Sequence, residues 1–134
     1  MSAEQNIKRI AIYGSTGSIG TQALEVIAAN PDKFSVEVLT AHTNDELLIK
    51  QALRFNPNVV IIADDKKYTK VKEALASTDV KVFAGEKALE EVASLDAYDM
   101  MLAAIVGFAG LKPTLKAIEN KKFIASSYCW AFEY

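Results

Sequence analysis

The chain has 134 residues, 51% hydrophobic and 24% charged, which is typical of one soluble globular domain. The formal net charge of −2 gives no electrostatic reason to expect a nucleic-acid or membrane partner, and no apolar run approaches the roughly 20 residues that span a bilayer. The single cysteine, Cys129, excludes an internal disulfide and a cysteine-rich metal site; it is consistent with a reducing compartment, and a cytoplasmic location is expected.

The first predicted strand and helix lie on either side of a glycine-rich loop. A short apolar run over residues 7–12 leads into Gly14 and indicates a buried strand. Apolar residues then recur at helical spacing between residues 19 and 27, which predicts an amphipathic helix. Ser18 is the expected N-cap of this helix, and Asn30-Pro31 is expected to end it.

The strongest functional signal is the loop 14–20, whose sequence is Gly-Ser-Thr-Gly-Ser-Ile-Gly. The free N–H groups and positive dipole end of the following helix can receive a phosphate, and Gly17 lets a pyrophosphate approach the backbone. Gly14 is expected to make the turn out of the strand, and Gly20 to let the helix pack closely. Three hydroxyls are candidate donors to phosphate oxygens, those of Ser15, Thr16 and Ser18. The loop predicts a dinucleotide site, with a purely structural turn as the alternative, and it lacks the Gly-Lys-Ser/Thr of a nucleoside triphosphate loop.

Strands and helices alternate through the rest of the chain. Continuous apolar runs predict buried strands over residues 34–41, 59–63, 80–83, 98–104 and 123–125. Helical periodicity predicts helices over residues 45–55, 66–77 and 86–94, and a last helix marked by Leu111, Leu115 and Ile118. The lysines between residues 66 and 72 are expected on a solvated helix face. This order predicts an α/β fold, a doubly wound parallel sheet of the Rossmann type.

The end of the second strand bears on which nicotinamide cofactor would bind. NAD-specific sites usually place an acidic residue there, but this sequence runs His42-Thr43-Asn44. The missing carboxylate favours NADP, although no Lys or Arg stands at this point to hold the 2′-phosphate. His42, if protonated, could bind that phosphate, and Thr43 and Asn44 could donate hydrogen bonds. The alternative is that His42 is simply a polar loop residue.

Two runs resemble the 1-deoxy-D-xylulose 5-phosphate reductoisomerase family: the glycine loop with Asn30-Pro31 and Phe34, and Ala-Ala-Ile-Val-Gly-Phe-Ala-Gly-Leu at 103–111. The resemblance extends from about residue 8 to about residue 125. It implies an NADPH-dependent oxidoreductase and isomerase, using a divalent metal (Mn or Mg), that acts in the non-mevalonate route to isoprenoid precursors. Such enzymes rearrange and reduce a sugar phosphate to 2-C-methyl-D-erythritol 4-phosphate, usually as homodimers.

The resemblance also implies a set of cofactor contacts. NADPH would contact Thr16, Gly17, Ser18 and Ile19, and the His42-Thr43-Asn44 loop would lie near its adenosine end. Asn44 matches the family pattern, whereas His42 and Thr43 replace a more usual glycine and basic residue.

The family pattern is lost near the end of the sequence. Tyr128, Cys129 and Trp130 stand where the family has Asn-Lys-Glu, and the family's metal ligands and catalytic domain lie further on. We interpret residues 1–125 as an NADPH-binding domain and residues 126–134 as a divergent aromatic tail. The tail either extends the last strand, packing on the domain or on another copy, or is a disordered end.

No catalytic or metal-binding residue is assigned, and the chain alone is expected to be catalytically inactive. Two alternatives to this function remain open: the cofactor-binding domain of another NAD(P)-dependent reductase, and a non-catalytic dinucleotide-binding module.

Overall fold

Strands and helices alternate along the chain in a computed structural model, which describes residues 7–105 and 111–126. The strands are β1 (Lys8–Tyr13), β2 (Phe34–Ala41), β3 (Val59–Ile62), β4 (Lys81–Ala84), β5 (Met100–Ala103) and β6 (Phe123–Ser126). The helices are α1 (Ser18–Ala29), α2 (Asp45–Phe55), α3 (Tyr68–Ala74), α4 (Glu86–Ala93) and α5 (Leu111–Glu119). A short 3-10 turn, Asp65–Lys67, precedes α3.

The described strands form one parallel sheet in the order β4-β3-β2-β1-β5-β6. β1 lies in the interior of the sheet, paired with β2 on one side and with β5 on the other. The chain builds the sheet outward from β1 as far as β4 and then returns to build the other side. The predicted doubly wound parallel sheet of the Rossmann type is therefore confirmed.

Both faces of the sheet are covered, because successive side chains of a strand point to opposite faces. Ile10 and Ile12 of β1 join an apolar cluster with buried residues of α1, α2 and α3. Ala11 and Tyr13 join a second cluster with buried residues of α4 and α5. This two-sided burial is why the strands read as continuous apolar runs, and burial of each large apolar side chain contributes about 1.5–3 kcal/mol to folding.

The third helix is shorter than the predicted range of 66–77. The Asp64 side chain accepts a hydrogen bond from the Lys66 N–H at 3.0 Å, which makes a 3-10 turn before α3. After α3, the Thr78 hydroxyl donates to the Leu75 carbonyl at 2.7 Å and accepts from the Val80 N–H at 3.2 Å. These local side-chain bonds compete with helical ones and end the helix early. The other elements begin and end within about two residues of their predicted limits.

An ion pair at the amino ends of β1 and β5 fixes these two strands together. The Asp99 carboxylate accepts hydrogen bonds from the Arg9 backbone N–H and from Arg9 Nη2, each at 2.9 Å. The Asp99 N–H in turn donates to the Arg9 carbonyl at 2.8 Å. The hydrogen bonds from Arg9 hold the pKa of the Asp99 carboxyl below its ordinary value.

Parts of two predictions lie outside the described residues. β6 confirms a strand at residues 123–125, but the predicted tail continues over residues 127–134, which the structure does not describe. The same holds for residues 106–110 of the second run that carries the family resemblance. Within residues 7–105 and 111–126, none of the helices has the length and apolar character that a bilayer crossing requires.

Candidate functional site

The glycine loop opens into a cleft at the carboxyl end of the sheet, beside the point where the strand order reverses. Open α/β sheets bind their ligands in such a crevice. The cleft is bounded by the ends of several strands, by the start of α4 and by the residues after β5. Its lining residues are Gly14, Thr16, Gly17, Thr40, Ala41, His42, Ala63, Glu86, Leu89, Ala104 and Ile105.

Two glycines of the loop are required by the fold itself. Gly14 has a φ of +93°, and a Cβ there would lie 3.0 Å from the carbonyl carbon and oxygen of Ala104. A Cβ on Gly20 would lie 2.3 Å from the Gly14 carbonyl oxygen and 2.6 Å from the Ser15 Cα. The turn predicted for Gly14 and the close helix packing predicted for Gly20 are both present.

Gly17 is different, because nothing in the described part of the chain requires a glycine there. Its φ of −80° and ψ of 178° are open to any residue. A Cβ on Gly17 would meet only the Gly14 carbonyl oxygen, at an ordinary contact distance of 3.6 Å. The residue is exposed, so its missing side chain leaves open space in front of the first turn of α1.

No side chain of α1 pairs with the free N–H groups or offsets the positive dipole at its amino end. Gly17, not Ser18, is the N-cap, so the prediction that Ser18 caps the helix is wrong. The backbone reaches helical geometry one residue earlier than expected, and no side chain caps the first turn. No acidic residue lies in that turn either. The N–H groups and the positive dipole end there suit an anion, and Ser18 and Ile19 are exposed beside them.

Ser15 does not bind a ligand from the cleft as predicted, because its side chain faces the interior. The residue is fully buried, and its hydroxyl lies 2.7 Å from Gln51 Oε1 and 3.2 Å from the Thr40 carbonyl. In return Gln51 Nε2 donates to the Ser15 carbonyl at 2.9 Å. The Gly14 N–H donates to Thr40 Oγ1 at 2.9 Å. These bonds tie the loop to β2 and α2 and fix its shape.

Thr40 and Gln51 are therefore positioning residues that the sequence analysis missed. Gln51 had one available signal: it is a polar residue on the same helical face as Leu48 and Phe55, where an apolar residue is expected. A buried polar side chain in that position implies a hydrogen-bond partner.

Replacing Gln51 by alanine is expected to lower the free energy of unfolding by about 1–3 kcal/mol, because the buried Ser15 carbonyl and hydroxyl would lose partners. Urea unfolding followed by circular dichroism measures this. The control is Lys50→Ala, an exposed neighbour on the same helix, which should change stability by no more than about 0.5 kcal/mol. Equal effects from the two variants would contradict the positioning role.

The wall opposite the loop is held by Tyr13. Its hydroxyl donates to the Leu89 carbonyl at 2.8 Å, so that α4 is anchored to the end of β1. Burial raises the pKa of this hydroxyl, which therefore stays protonated and keeps donating. Glu86 and Leu89 of α4 are thus held at the edge of the cleft.

The loop after β2 lies on the same side of the sheet as the glycine loop. His42 lines the cleft together with Gly14, Thr16 and Gly17, whereas Thr43 and Asn44 lead away from it into α2. All three residues of this second loop are exposed. Asn44 is also the N-cap of α2, since its Oδ1 accepts from the Leu47 N–H at 3.3 Å. Asp45 and Glu46 lie in the first turn of α2, where their negative charges suit the helix dipole.

A metal centre is not formed by the described residues. Within residues 7–105 and 111–126, no three His, Cys, Asp or Glu side chains lie close enough together to hold a metal ion.

Comparison with known proteins gives one family. The family model described as 1-deoxy-D-xylulose 5-phosphate reductoisomerase matches residues 10–127. The enzyme of that name from Bacteroides thetaiotaomicron is 53% identical over 118 residues, which cover 88% of this chain and 30% of the relative. The one from Porphyromonas gingivalis is 51% identical over 118 residues, covering 88% and 31%. The chain thus spans about 30% of the length of these relatives.

Solved structures agree with the sequence relatives. The reductoisomerase of Zymomonas mobilis in complex with NADPH has a TM-score of 0.86 and 42% identity, covering 91% of this chain and 32% of its own. A structure of the reductoisomerase in complex with NADPH, fosmidomycin and magnesium has a TM-score of 0.84 and 34% identity, covering 88% and 29%.

Proposed function

We propose that this chain, which belongs to the 1-deoxy-D-xylulose 5-phosphate reductoisomerase family, provides the NADPH-binding domain of such an enzyme. The observation that carries the proposal is Gly17, a glycine that the fold does not need, in front of an uncapped helix terminus. The NADPH complex of the Zymomonas mobilis relative supports it.

Each predicted site residue then has a role that its position allows. The pyrophosphate approaches the backbone at Gly17 and accepts hydrogen bonds from the N–H groups of Ser18, Ile19 and Gly20 at the start of α1. Thr16 lines the cleft beside them and offers a hydroxyl. Gly14 and Gly20 shape the loop, where Gly14 lines the cleft and Gly20 contributes its backbone N–H. His42, Thr43 and Asn44 lie toward the adenosine end.

When bound, NADPH supplies the hydride that the family's reaction transfers. The residues of this chain bind the cofactor and orient it, which is the usual contribution of a protein to cofactor chemistry. We assign a catalytic or metal-binding role to none of the described residues. We propose that the chain alone binds NADPH without completing the rearrangement and reduction.

The wider organisation is part of the same proposal. Residues 1–125 form the NADPH-binding domain and residues 126–134 a divergent tail, and the family match that ends at residue 127 supports this division. A homodimer is proposed from the resemblance to the family. A cytoplasmic location is proposed because one cysteine gives this sequence no internal disulfide.

Calorimetric titration of the 134-residue chain with NADPH, and with NADH in parallel, tests the function. We expect NADPH to bind at least tenfold more tightly, which corresponds to about 1.4 kcal/mol. Binding of neither nucleotide by a chain that still melts cooperatively would contradict the proposal, since the fold would be present without the site.

A further inference from the structure

The loop that we propose lies near the adenosine end of NADPH lacks a permanent positive charge that could bind the 2′-phosphate. The His42-Thr43-Asn44 loop contains no lysine or arginine, and two carboxylates, Asp45 and Glu46, follow it directly. We propose that Lys67 in the 3-10 turn after β3 and Lys70 in α3, which both reach the start of α2, supply the positive charge that selects a 2′-phosphorylated dinucleotide. This inference rests on the proposed function and adds the residues that determine its cofactor specificity.

The connections after β2 and β3 run side by side at this end of the sheet. The Ala63 N–H donates to the Ala41 carbonyl at 2.9 Å, and the Asp64 N–H donates to the His42 carbonyl at 3.0 Å. Asp64 also begins the 3-10 turn, since its carbonyl accepts from the Lys67 N–H at 3.0 Å. The turn that carries Lys67 is therefore fixed against the loop that carries His42.

Both lysines direct their ammonium groups at the first turn of α2. Lys67 Nζ lies 3.6 Å from Asp45 Oδ1, and Lys70 Nζ lies 3.1 Å from Asp45 Oδ2 and 3.5 Å from Glu46 Oε2. The Asp45 side chain is only 6% exposed, whereas those of Lys67 and Lys70 are 39% and 54% exposed. The carboxylate is thus buried while the two cations remain open to solvent.

The net charge at the start of α2 determines whether a phosphate group can approach the neighbouring loop. A phosphate monoester carries a charge of about −2 near neutral pH, and Asp45 and Glu46 alone would repel it. The lysine contacts hold the pKa of the Asp45 carboxyl below its ordinary value, and the same pair raises the pKa of Lys70, so both stay charged. Lys67 and Lys70 therefore offset the charges of Asp45 and Glu46, with which they pair.

Lys67 in addition retains donors for a ligand. Its 3.6 Å separation from Asp45 is longer than a hydrogen bond, and an ammonium group has three N–H donors. Lys67 can therefore bind a phosphate oxygen without first breaking a hydrogen bond to Asp45. The solvated lysine face expected from the sequence therefore carries, at these two positions, cations that lie against the residues directly after the His42-Thr43-Asn44 loop.

The test measures NADPH and NADH affinities, because these ligands differ only in the 2′-phosphate. In Lys67→Ala/Lys70→Ala we expect the Kd for NADPH to rise at least tenfold, the Kd for NADH to change less than threefold, and NADPH binding to depend less on salt. The matched control is Lys72→Ala/Lys81→Ala, which removes the same charge from exposed positions and should leave both Kd values within threefold of those of the unaltered chain.

Two further double variants replace the alanine variant if alanine destabilises the chain by leaving Asp45 unpaired. Lys67→Gln/Lys70→Gln keeps an N–H donor without the charge and should lose the preference for NADPH, whereas Lys67→Arg/Lys70→Arg should keep it. An unchanged NADPH preference in the glutamine variant would overturn the inference alone. Equal affinities of the unaltered chain for NADPH and NADH would also overturn it. Binding of neither nucleotide would overturn the proposed function, and this inference with it.

Discussion

Replacing Gly20 by alanine is expected to lower the free energy of unfolding by at least about 2 kcal/mol, or to prevent folding. The added Cβ would lie 2.3 Å from the Gly14 carbonyl oxygen and 2.6 Å from the Ser15 Cα, and both are backbone atoms. A rotamer change cannot relieve such contacts, so α1 must move away from the loop. The intrinsic helix preference of alanine over glycine, about 1 kcal/mol, acts in the opposite direction and is too small to compensate.

Urea unfolding followed by circular dichroism measures this effect. The loop cannot easily yield, because its bonds to Thr40 and Gln51 fix it from the other side. Gln22→Ala, at an exposed position two residues further along α1, is the control and should be close to neutral. An unfolding midpoint for Gly20→Ala equal to that of the unaltered chain would show that α1 does not pack on the loop as described.

A serine at position 17 is expected to leave the fold intact and to weaken NADPH binding at least tenfold, or about 1.4 kcal/mol. Serine is a favoured N-cap residue and suits the extended backbone that Gly17 already has. Its Cβ would meet no described atom closer than 3.6 Å, so stability should not fall. The same Cβ would occupy the space through which a pyrophosphate reaches the helix N-terminus.

Calorimetric titration with NADPH, together with a melting curve, measures both parts of this result. Gly17→Ala adds the Cβ without a hydroxyl and should also weaken binding, which separates the steric effect from any new hydrogen bond. If Gly17→Ser binds NADPH as tightly as the unaltered chain, the pyrophosphate does not pass residue 17 and the proposed site is wrong. The Gly20 and Gly17 variants thus separate a glycine that the fold requires from one that we propose a ligand requires.

Most of the fold could be predicted from the sequence because its signals are local. The structure gives β2 and α2 the predicted limits, residues 34–41 and 45–55, since a continuous apolar run and a helical repeat are each complete within one segment. The predicted turn at Gly14 and the close packing at Gly20 were also found, because a glycine between a strand and a helix reflects backbone geometry at that point.

The errors concern side chains whose direction depends on distant residues. Ser15 resembles a phosphate ligand until Gln51, 36 residues further on, places its hydroxyl in the interior. The N-cap of α1 was misplaced by one residue because glycine and serine are both acceptable caps. Lys67 and Lys70 are open to solvent as expected, but their ion pairs with Asp45 could not be predicted, because only the packing of the 3-10 turn and α3 beside α2 brings them to that residue.

The interior position of β1 determines when a growing chain completes its binding cleft. β2, β3 and β4 add to the sheet in sequence order, whereas β5 returns to pair with β1, Ile10 with Met100, across about 90 residues. Closing so long a loop costs more chain entropy, so this pairing is the slow step expected in folding. Ala104 and Ile105 form the cleft wall against Gly14, so a nascent chain that ends before β5 has the complete glycine loop but only part of its surroundings. Under the proposed function, NADPH present during refolding therefore stabilises chains in which β5 has docked more than chains in which it has not.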